Sequence, residues 1–102
     1  MSVMMGLRVP VDPDRFDAVI NSDRERILEI SEAAKRAGAI HHAFYANDAG
    51  GEILVVDEWP SQEAFMEFFQ SNTRVPELMA EAGVTERPTP VFWRALDTPD
   101  TF

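Results

Sequence analysis

A turn sequence between two strand-like segments constrains the fold of this chain more than any other feature. Asp48-Ala49-Gly50-Gly51 separates Ala39–Asn47 from Glu52–Trp59, and both flanking segments are rich in β-branched and aromatic residues. Two such segments around a glycine-containing turn predict a β-hairpin. An even-length turn centred between Ala49 and Gly50 pairs His42 with Asp57.

The two faces of this predicted hairpin are both largely apolar. One face carries His42, Phe44, Ile53, Val55, Asp57 and Trp59, and the other carries His41, Ala43, Tyr45, Leu54, Val56 and Glu58. A sheet with one solvated face alternates apolar and polar residues, and an apolar face left in water is usually an interface. We therefore predict that helices cover the first face and that a second copy of the chain covers the other, forming a homodimer.

Segments on either side of the hairpin complete a βαββαβ order. A helical stripe of apolar residues is interrupted once, at Asn21-Ser22-Asp23, where a kink or a restart is expected. Asp12 and Ser61 are predicted N-caps, and Gly38 and Gly83 are predicted helix ends. In chain order, the remaining elements are a strand over Val3–Val11, a helix over Phe16–Ala37, a helix from Ser61 with an apolar face of Phe65, Phe68 and Phe69, a helical turn over Pro76–Ala82, and a strand over Thr89–Leu96.

This order predicts one α+β domain over residues 1–102, with both helical segments on one face of an antiparallel sheet. The fold class is a ferredoxin-like βαββαβ split sandwich. Together with the predicted dimer, it gives a dimeric α+β barrel.

The charge balance excludes several classes of partner. The chain has 18 acidic and 9 basic residues, a net charge of −9, and no cysteine. A polyanion would be repelled, so neither nucleic acid nor an anionic membrane is an expected partner. The absence of cysteine excludes disulfides and thiolate chemistry. No leader-like or membrane-spanning apolar run is present, which predicts a cytoplasmic protein.

The segment Val55-Val56-Asp57-Glu58-Trp59-Pro60-Ser61-Gln62-Glu63-Ala64-Phe65 resembles the strand-to-helix junction of antibiotic-biosynthesis-monooxygenase-like proteins. In that superfamily an acidic residue, a Trp, a Ser and then an aromatic or aliphatic helix residue follow at similar spacing. The resemblance implies the dimeric α+β barrel. It also implies a group that contains cofactor-free oxygenases of polyphenols, haem-degrading oxygenases, lactone isomerases and members without a known reaction.

Departures from the superfamily's site patterns narrow what the resemblance implies. The haem-degrading members use an Asn on the first strand with a Trp and a His on the second helix. Here the first strand has no Asn and Phe68 stands where that Trp would be, so haem degradation is disfavoured. Some polyphenol oxygenases carry a Tyr where this chain has Phe65. An aromatic pocket is therefore expected without that hydroxyl.

His42 and Asp57 are the candidate catalytic residues. A carboxylate beside an imidazole fixes the tautomer of the ring, which a general base requires. The alternative interpretation is an ordinary cross-strand pair next to core aromatics. The candidate substrate-binding residues, from the same face and the following helix, are Phe44, Val55, Trp59, Phe65 and Phe69.

His41 is predicted to lie opposite Glu58 on the other face, as an ionic contact in or around the subunit interface. Because neighbouring strand residues point to opposite faces, His41 and His42 are not expected to share a metal ion, and no metal site is predicted.

Two hypotheses for function follow. The first is a cofactor-independent monooxygenase or isomerase, an enzyme without a cofactor that acts on a small aromatic or enolisable substrate in an apolar helix–sheet pocket. The second is a non-catalytic dimeric module that either binds a ligand or, with its pocket filled by its own side chains, serves as an accessory protein.

Overall fold

A computed structural model describes residues 1–102. The sheet has the strand order β2-β3-β1-β4, with every neighbouring pair antiparallel. The predicted α+β fold with a βαββαβ order is confirmed, except that each helical segment is two helices. No helix combines the length and the apolar character needed to cross a membrane. The elements are β1 (Val3–Pro10), α1 (Pro13–Ser22), α2 (Arg24–Arg36), β2 (His41–Asn47), β3 (Glu52–Trp59), α3 (Gln62–Ser71), α4 (Arg74–Glu81) and β4 (Val91–Trp93).

The hairpin has the predicted register, with His42 opposite Asp57. Gly51 occupies the left-handed region at φ +62° within the turn, a conformation that glycine adopts without a steric penalty. Strand β2 begins at His41 and not at Ala39, because the Ala39 amide is used to close the turn that ends α2. Its amide donates to the carbonyl of Ala34 at 3.0 Å, following Gly38 at φ +116°.

The expected interruption of the first helical segment is a restart at Asp23. The backbone of this residue is non-helical (φ −133°, ψ 74°), and its carboxylate accepts a hydrogen bond from the Arg26 amide at 3.1 Å. Asp23 therefore ends α1 and caps α2. Both predicted N-caps, Asp12 and Ser61, are confirmed, each with an amide-to-side-chain distance of 3.2 Å.

Two further predicted boundaries were wrong. Helix α4 begins at Arg74, before Pro76, because Asn72 Oδ1 accepts from the amide of Arg74 at 3.0 Å and starts the turn earlier. A proline in a first helical turn gives up an amide that has no intrahelical partner anyway. Strand β4 covers three residues and not Thr89–Leu96. In the continued register Pro90 would lie opposite Leu7, and a proline has no N–H to donate to that strand.

The core lies between the sheet and the helices, over the two central strands. Trp59, Met5, Leu7 and Val9 are its largest fully buried side chains. Phe65 of α3 meets Trp59 edge-on, with ring centroids 5.6 Å apart. The whole buried apolar cluster is Met5, Leu7, Val9, Val11, Phe16, Ile53, Val55, Trp59, Phe65 and Ala82.

The other face of the sheet has no helix over it, and it exposes large apolar side chains. Tyr45 is 55% exposed, Leu54 37% and Trp93 62%. Arg8 binds Glu52 on this face through two hydrogen bonds of 2.7 and 2.9 Å, and this bond lowers the pKa of the Glu52 carboxyl. We call this surface, formed by the sheet residues that face away from the helices, the open face.

Candidate functional site

Helix α2 and strand β2 enclose space instead of packing tightly. Neither element contains a buried residue, although α2 carries an apolar stripe that includes Ile27 and Ala34. The space between α2, the sheet and the other helices is a cavity of about 470 Å³. It is lined by 25 residues, of which 20 are hydrophobic. This volume and this lining are typical of small-molecule sites, which run from roughly 300 to 1,000 Å³.

One buried acid contributes to the cavity wall. Asp57, 7% exposed, is the one charged or polar residue among the buried set. Its Oδ1 lies 2.6 Å from His42 Nδ1, and its Oδ2 accepts a hydrogen bond from Trp59 Nε1 at 3.1 Å. Both carboxylate oxygens are therefore partnered, which a buried acid requires. Because the indole and the imidazole hold it from two directions, the carboxylate plane is fixed.

This bond determines which nitrogen of His42 is free. An ionised carboxylate only accepts hydrogen bonds, so the Nδ1 atom must carry the proton that it shares with Asp57. In the neutral ring Nε2 then keeps its lone pair. The His42 side chain is 43% exposed and its ring packs edge-on against Phe44, with centroids 4.7 Å apart. The site therefore presents one oriented proton acceptor beside an apolar chamber.

Every residue predicted for the site lines this one cavity. The seven are His42, Asp57, Phe44, Val55, Trp59, Phe65 and Phe69. Phe44 is 38% exposed, and together with His42 it marks the accessible margin of the cavity. The expectation that the chain's own side chains fill the pocket is not met, because the space remains.

Sequence reasoning missed several wall residues that come from the helices. Phe16, the buried residue of α1, meets Phe44 edge-on at 5.1 Å between centroids, and Phe68 lies 5.5 Å from Trp59. Leu78 and Met79 of α4 also line the cavity. Their helical spacing marked them as inward-facing, but an apolar stripe does not distinguish a side chain that fills a core from one that borders a cavity.

A wider groove lies on the other side of α2 and has a different character. Its volume is about 790 Å³, and 3 of its 10 lining residues are hydrophobic. Arg74 and Glu29 form an ion pair within it. Such a charged and solvated wall does not suit an apolar ligand, so the inner cavity is the better candidate site.

The second histidine does not make the predicted ionic contact. His41 lies opposite Glu58 in the register, but no ion pair forms between them. The hydroxyl of Ser2 donates to the Glu58 carboxylate at 2.5 Å and takes the place that the imidazole was expected to fill. The chain has no group of three or more His, Asp or Glu residues arranged to hold a metal ion.

No family model matches the chain, and no curated protein matches it either. Several solved structures do match it. A monooxygenase of Streptomyces coelicolor, from the gene ActVA-Orf6 and in complex with nanaomycin D, is 20% identical, with a TM-score of 0.66 over 97% of this chain and 93% of that one. SnoaB, a cofactor-independent oxygenase of Streptomyces nogalater, is 16% identical, with a TM-score of 0.64 over 98% of each chain.

A third structure, Rv0793 of Mycobacterium tuberculosis, is 17% identical, with a TM-score of 0.60 over 98% of this chain and all of that one. The expected resemblance is thus confirmed for the fold, which is that of the antibiotic biosynthesis monooxygenases.

Proposed function

We propose that this protein is a cofactor-independent monooxygenase that binds a small, planar phenolic substrate in the cavity between α2 and the sheet. The observation that carries the proposal is the His42–Asp57 pair. It is the one acid–base pair on a wall that is otherwise nearly all apolar. A dry chamber with a single oriented base is suited to removing one proton from an otherwise apolar molecule.

The fold supports the same reaction class. One structural neighbour is described as a cofactor-independent oxygenase, and another is a monooxygenase that holds nanaomycin D. Fold alone does not fix an activity, so the likeness sets the class to test and the site sets the chemistry.

The proposed reaction begins with proton transfer from the substrate hydroxyl to His42 Nε2. The imidazolium that forms is stabilised by Asp57, whose own position is held by the Trp59 indole. The resulting phenolate is electron-rich at its ring carbons and reacts there with molecular oxygen. One oxygen atom becomes a quinone carbonyl and the other leaves as water. A phenol and O₂ thus give a quinone and H₂O, and the substrate supplies all the electrons.

The aromatic wall has a separate role, which is to bind and align the ring. Phe44 at the exposed margin stands edge-on to the buried Phe16, and Trp59 stands edge-on to Phe65 deeper in the cavity. Offset and edge-on aromatic contacts are each worth about 0.5–1.5 kcal/mol beyond the area that they bury. A planar ring between these walls is therefore favoured over an aliphatic ligand of equal volume.

The same base would also serve an isomerase. If the proton returns to a different atom of the anion, an enolisable substrate is isomerised and no oxygen is used. Oxygen uptake separates the two reactions directly.

The experiment is a screen of hydroxylated naphthalenes and anthracenes in an oxygen electrode, with product identified by mass. For an active compound, we expect His42→Gln to lower kcat by about 100-fold or more, the usual contribution of a positioned general base. His41→Gln is the matched control, because it changes the adjacent histidine, and we expect its rate to stay within about twofold of the parent's.

Three results would contradict the proposal. Equal loss in both histidine variants would point to the fold and not to the base. Full activity in His42→Gln would show that His42 is not the general base. Binding of these compounds without any turnover would identify a ligand-binding module, the second hypothesis.

We also propose that a second copy of the chain covers the open face. The support is the set of apolar side chains that it leaves in water, among them Tyr45, Leu54, Val91 and Trp93. Leu54→Glu would place a charge in the middle of such an interface, and we expect it to convert a dimer into a monomer in sedimentation experiments. Leu28→Glu is the control, since Leu28 is also an exposed leucine but lies on α2. A wild-type monomer at micromolar concentration would refute this arrangement.

A further inference from the structure

The basic side chains of this acidic protein are unevenly placed. Eight of its nine cationic residues are arginines, and Lys35 is its one lysine. Lys35 and both histidines border the cavity between α2 and the sheet, whereas no arginine does. His41 points toward the open face by the alternation of the strand, which leaves Lys35 and His42 as the groups available to a ligand.

We propose that the ligand of this cavity carries a carboxylate in addition to its planar apolar body, and that Lys35 binds that carboxylate. The proposal rests on the proposed function and deepens it, since it makes the substrate class an aromatic hydroxy acid. The hydroxyl of the ligand would hydrogen-bond to His42, and its carboxylate would pair with the Lys35 ammonium at the exposed margin of the cavity.

The lining of the cavity is less acidic than the chain as a whole. Its lining contains one acidic residue, Asp57, and both oxygens of that carboxylate are already bonded, to His42 and to Trp59. With the histidines neutral, Lys35 and Asp57 offset each other, so the lining carries no net formal charge, whereas the whole chain carries −9.

Lys35 is free to change partner. Its ammonium lies 3.1 Å from Glu32, one turn earlier on α2, and the two side chains are 64% and 58% exposed. Exposed pairs of this kind contribute little, so exchanging Glu32 for a ligand carboxylate carries a small penalty. Glu32 lines the outer groove and not this cavity, so the Lys35 ammonium would leave Glu32 to reach a carboxylate inside the cavity.

The position of Lys35 also suits an amphipathic ligand. Ser31 and Leu28 line the cavity on the same face of α2, one and two turns earlier. A lysine can lay its apolar stem along such a face and keep its charge at the water boundary. A ligand with an apolar ring inside and an acid at the boundary would match that division.

The test compares two probes of nearly equal size, 2-naphthoate and 2-naphthamide, by isothermal titration calorimetry. We expect the wild type to bind the carboxylate about fivefold more tightly than the amide, the scale of one exposed charge contact. Lys35→Met keeps the apolar stem and removes the charge, so it should abolish that preference and leave the amide affinity unchanged.

Arg36→Met is the matched control, because it removes one positive charge from the next residue of the same helix, off this cavity. It should leave the preference intact. Equal binding of the two probes by the wild type would overturn the proposal, as would equal loss of the preference in both variants.

Those failures are distinct from failure of the proposed function. They would leave the His42-dependent turnover of phenols standing. Conversely, a carboxylate preference without any turnover would support an acid-binding pocket and refute the oxygenase.

Discussion

The two halves of the helix-covered side of the sheet are built differently. Over β1 and β3, alternate side chains are almost completely buried, from Met5 and Val9 to Trp59, and Phe65 of α3 packs against them. Over β2, no residue is buried, and the helix on that side, α2, buries none either. One half is therefore a closed core and the other borders an open cavity, although both belong to one continuous sheet.

This difference shows how a small chain can combine a stable core with an open cavity. The central strands provide the packing, so the edge strand is free to carry His42 and Phe44 at the margin of the cavity. Asp57 lies at the boundary between the halves. It is on the packed strand β3, and its bonds reach His42 on the edge strand and Trp59 in the core. The core thereby fixes the geometry of the site.

The largest expected effect is a difference between the two halves in how much the loss of a phenylalanine ring lowers the free energy of unfolding. Phe65→Ala removes a ring from the closed core and should lower the free energy of unfolding by about 3–5 kcal/mol. Phe44→Ala removes the same side chain from the cavity margin, where it is 38% exposed. It should lower the free energy of unfolding by about 1 kcal/mol, chiefly through its lost contact with Phe16. Urea denaturation measures both, and similar losses would mean that the β2 half is packed as tightly as the other.

A smaller effect is expected from filling the cavity. Ala34 is half-buried and lines it, so Ala34→Leu should place additional apolar volume there. We expect the affinity for 2-naphthamide to fall by about tenfold or more, while the free energy of unfolding stays level or rises by about 0.5–1 kcal/mol. The adjacent Ala33 faces the outer groove, so Ala33→Leu is the control and should keep the affinity. Unchanged binding in Ala34→Leu would exclude this cavity as the site.

The smallest expected effect concerns what holds α2 in place. Arg26 on α2 binds Glu81 on α4 at 2.5 Å, and this bond raises the pKa of the Arg26 guanidinium. Both residues lie outside the core, so Glu81→Gln should hardly change the unfolding midpoint. It should instead speed amide hydrogen exchange in α2 relative to α3, because local opening is governed by local contacts. Equal amide exchange rates in α2 and α3 of the parent protein would contradict the difference between the two halves of the molecule.

Local chemistry in the sequence predicted the parts of the fold that depend on neighbours along the chain. The caps at Asp12 and Ser61, the restart at Asp23 and the hairpin register follow from short-range patterns, and all are confirmed. The extent of β4 was wrong, because Pro90, which would continue the register opposite Leu7, has no N–H to donate to β1.

The candidate site was predictable to a similar degree. The register placed His42 beside Asp57, and the alternation of the strand put Trp59 on the same face as Asp57, so their hydrogen bond could have been foreseen. The presence of the cavity could not be predicted from the sequence. An apolar stripe on α2 indicates which side of the helix faces inward, but not how far the helix stands from β2. That separation is set by the tertiary packing of α1 and α4, and the walls from Phe16 and Leu78 depend on it.

The chain has two tryptophans, and the fold places them on opposite sides of the sheet. Trp59 is 1% exposed beside the cavity, and Trp93 is 62% exposed on the open face. Their fluorescence therefore carries two independent signals. The emission of the enclosed indole should respond to an occupant of the chamber, whereas the red-shifted emission of the solvated indole should move to shorter wavelength when another subunit docks. Two single-tryptophan variants would let one spectrometer follow ligand uptake and self-association separately.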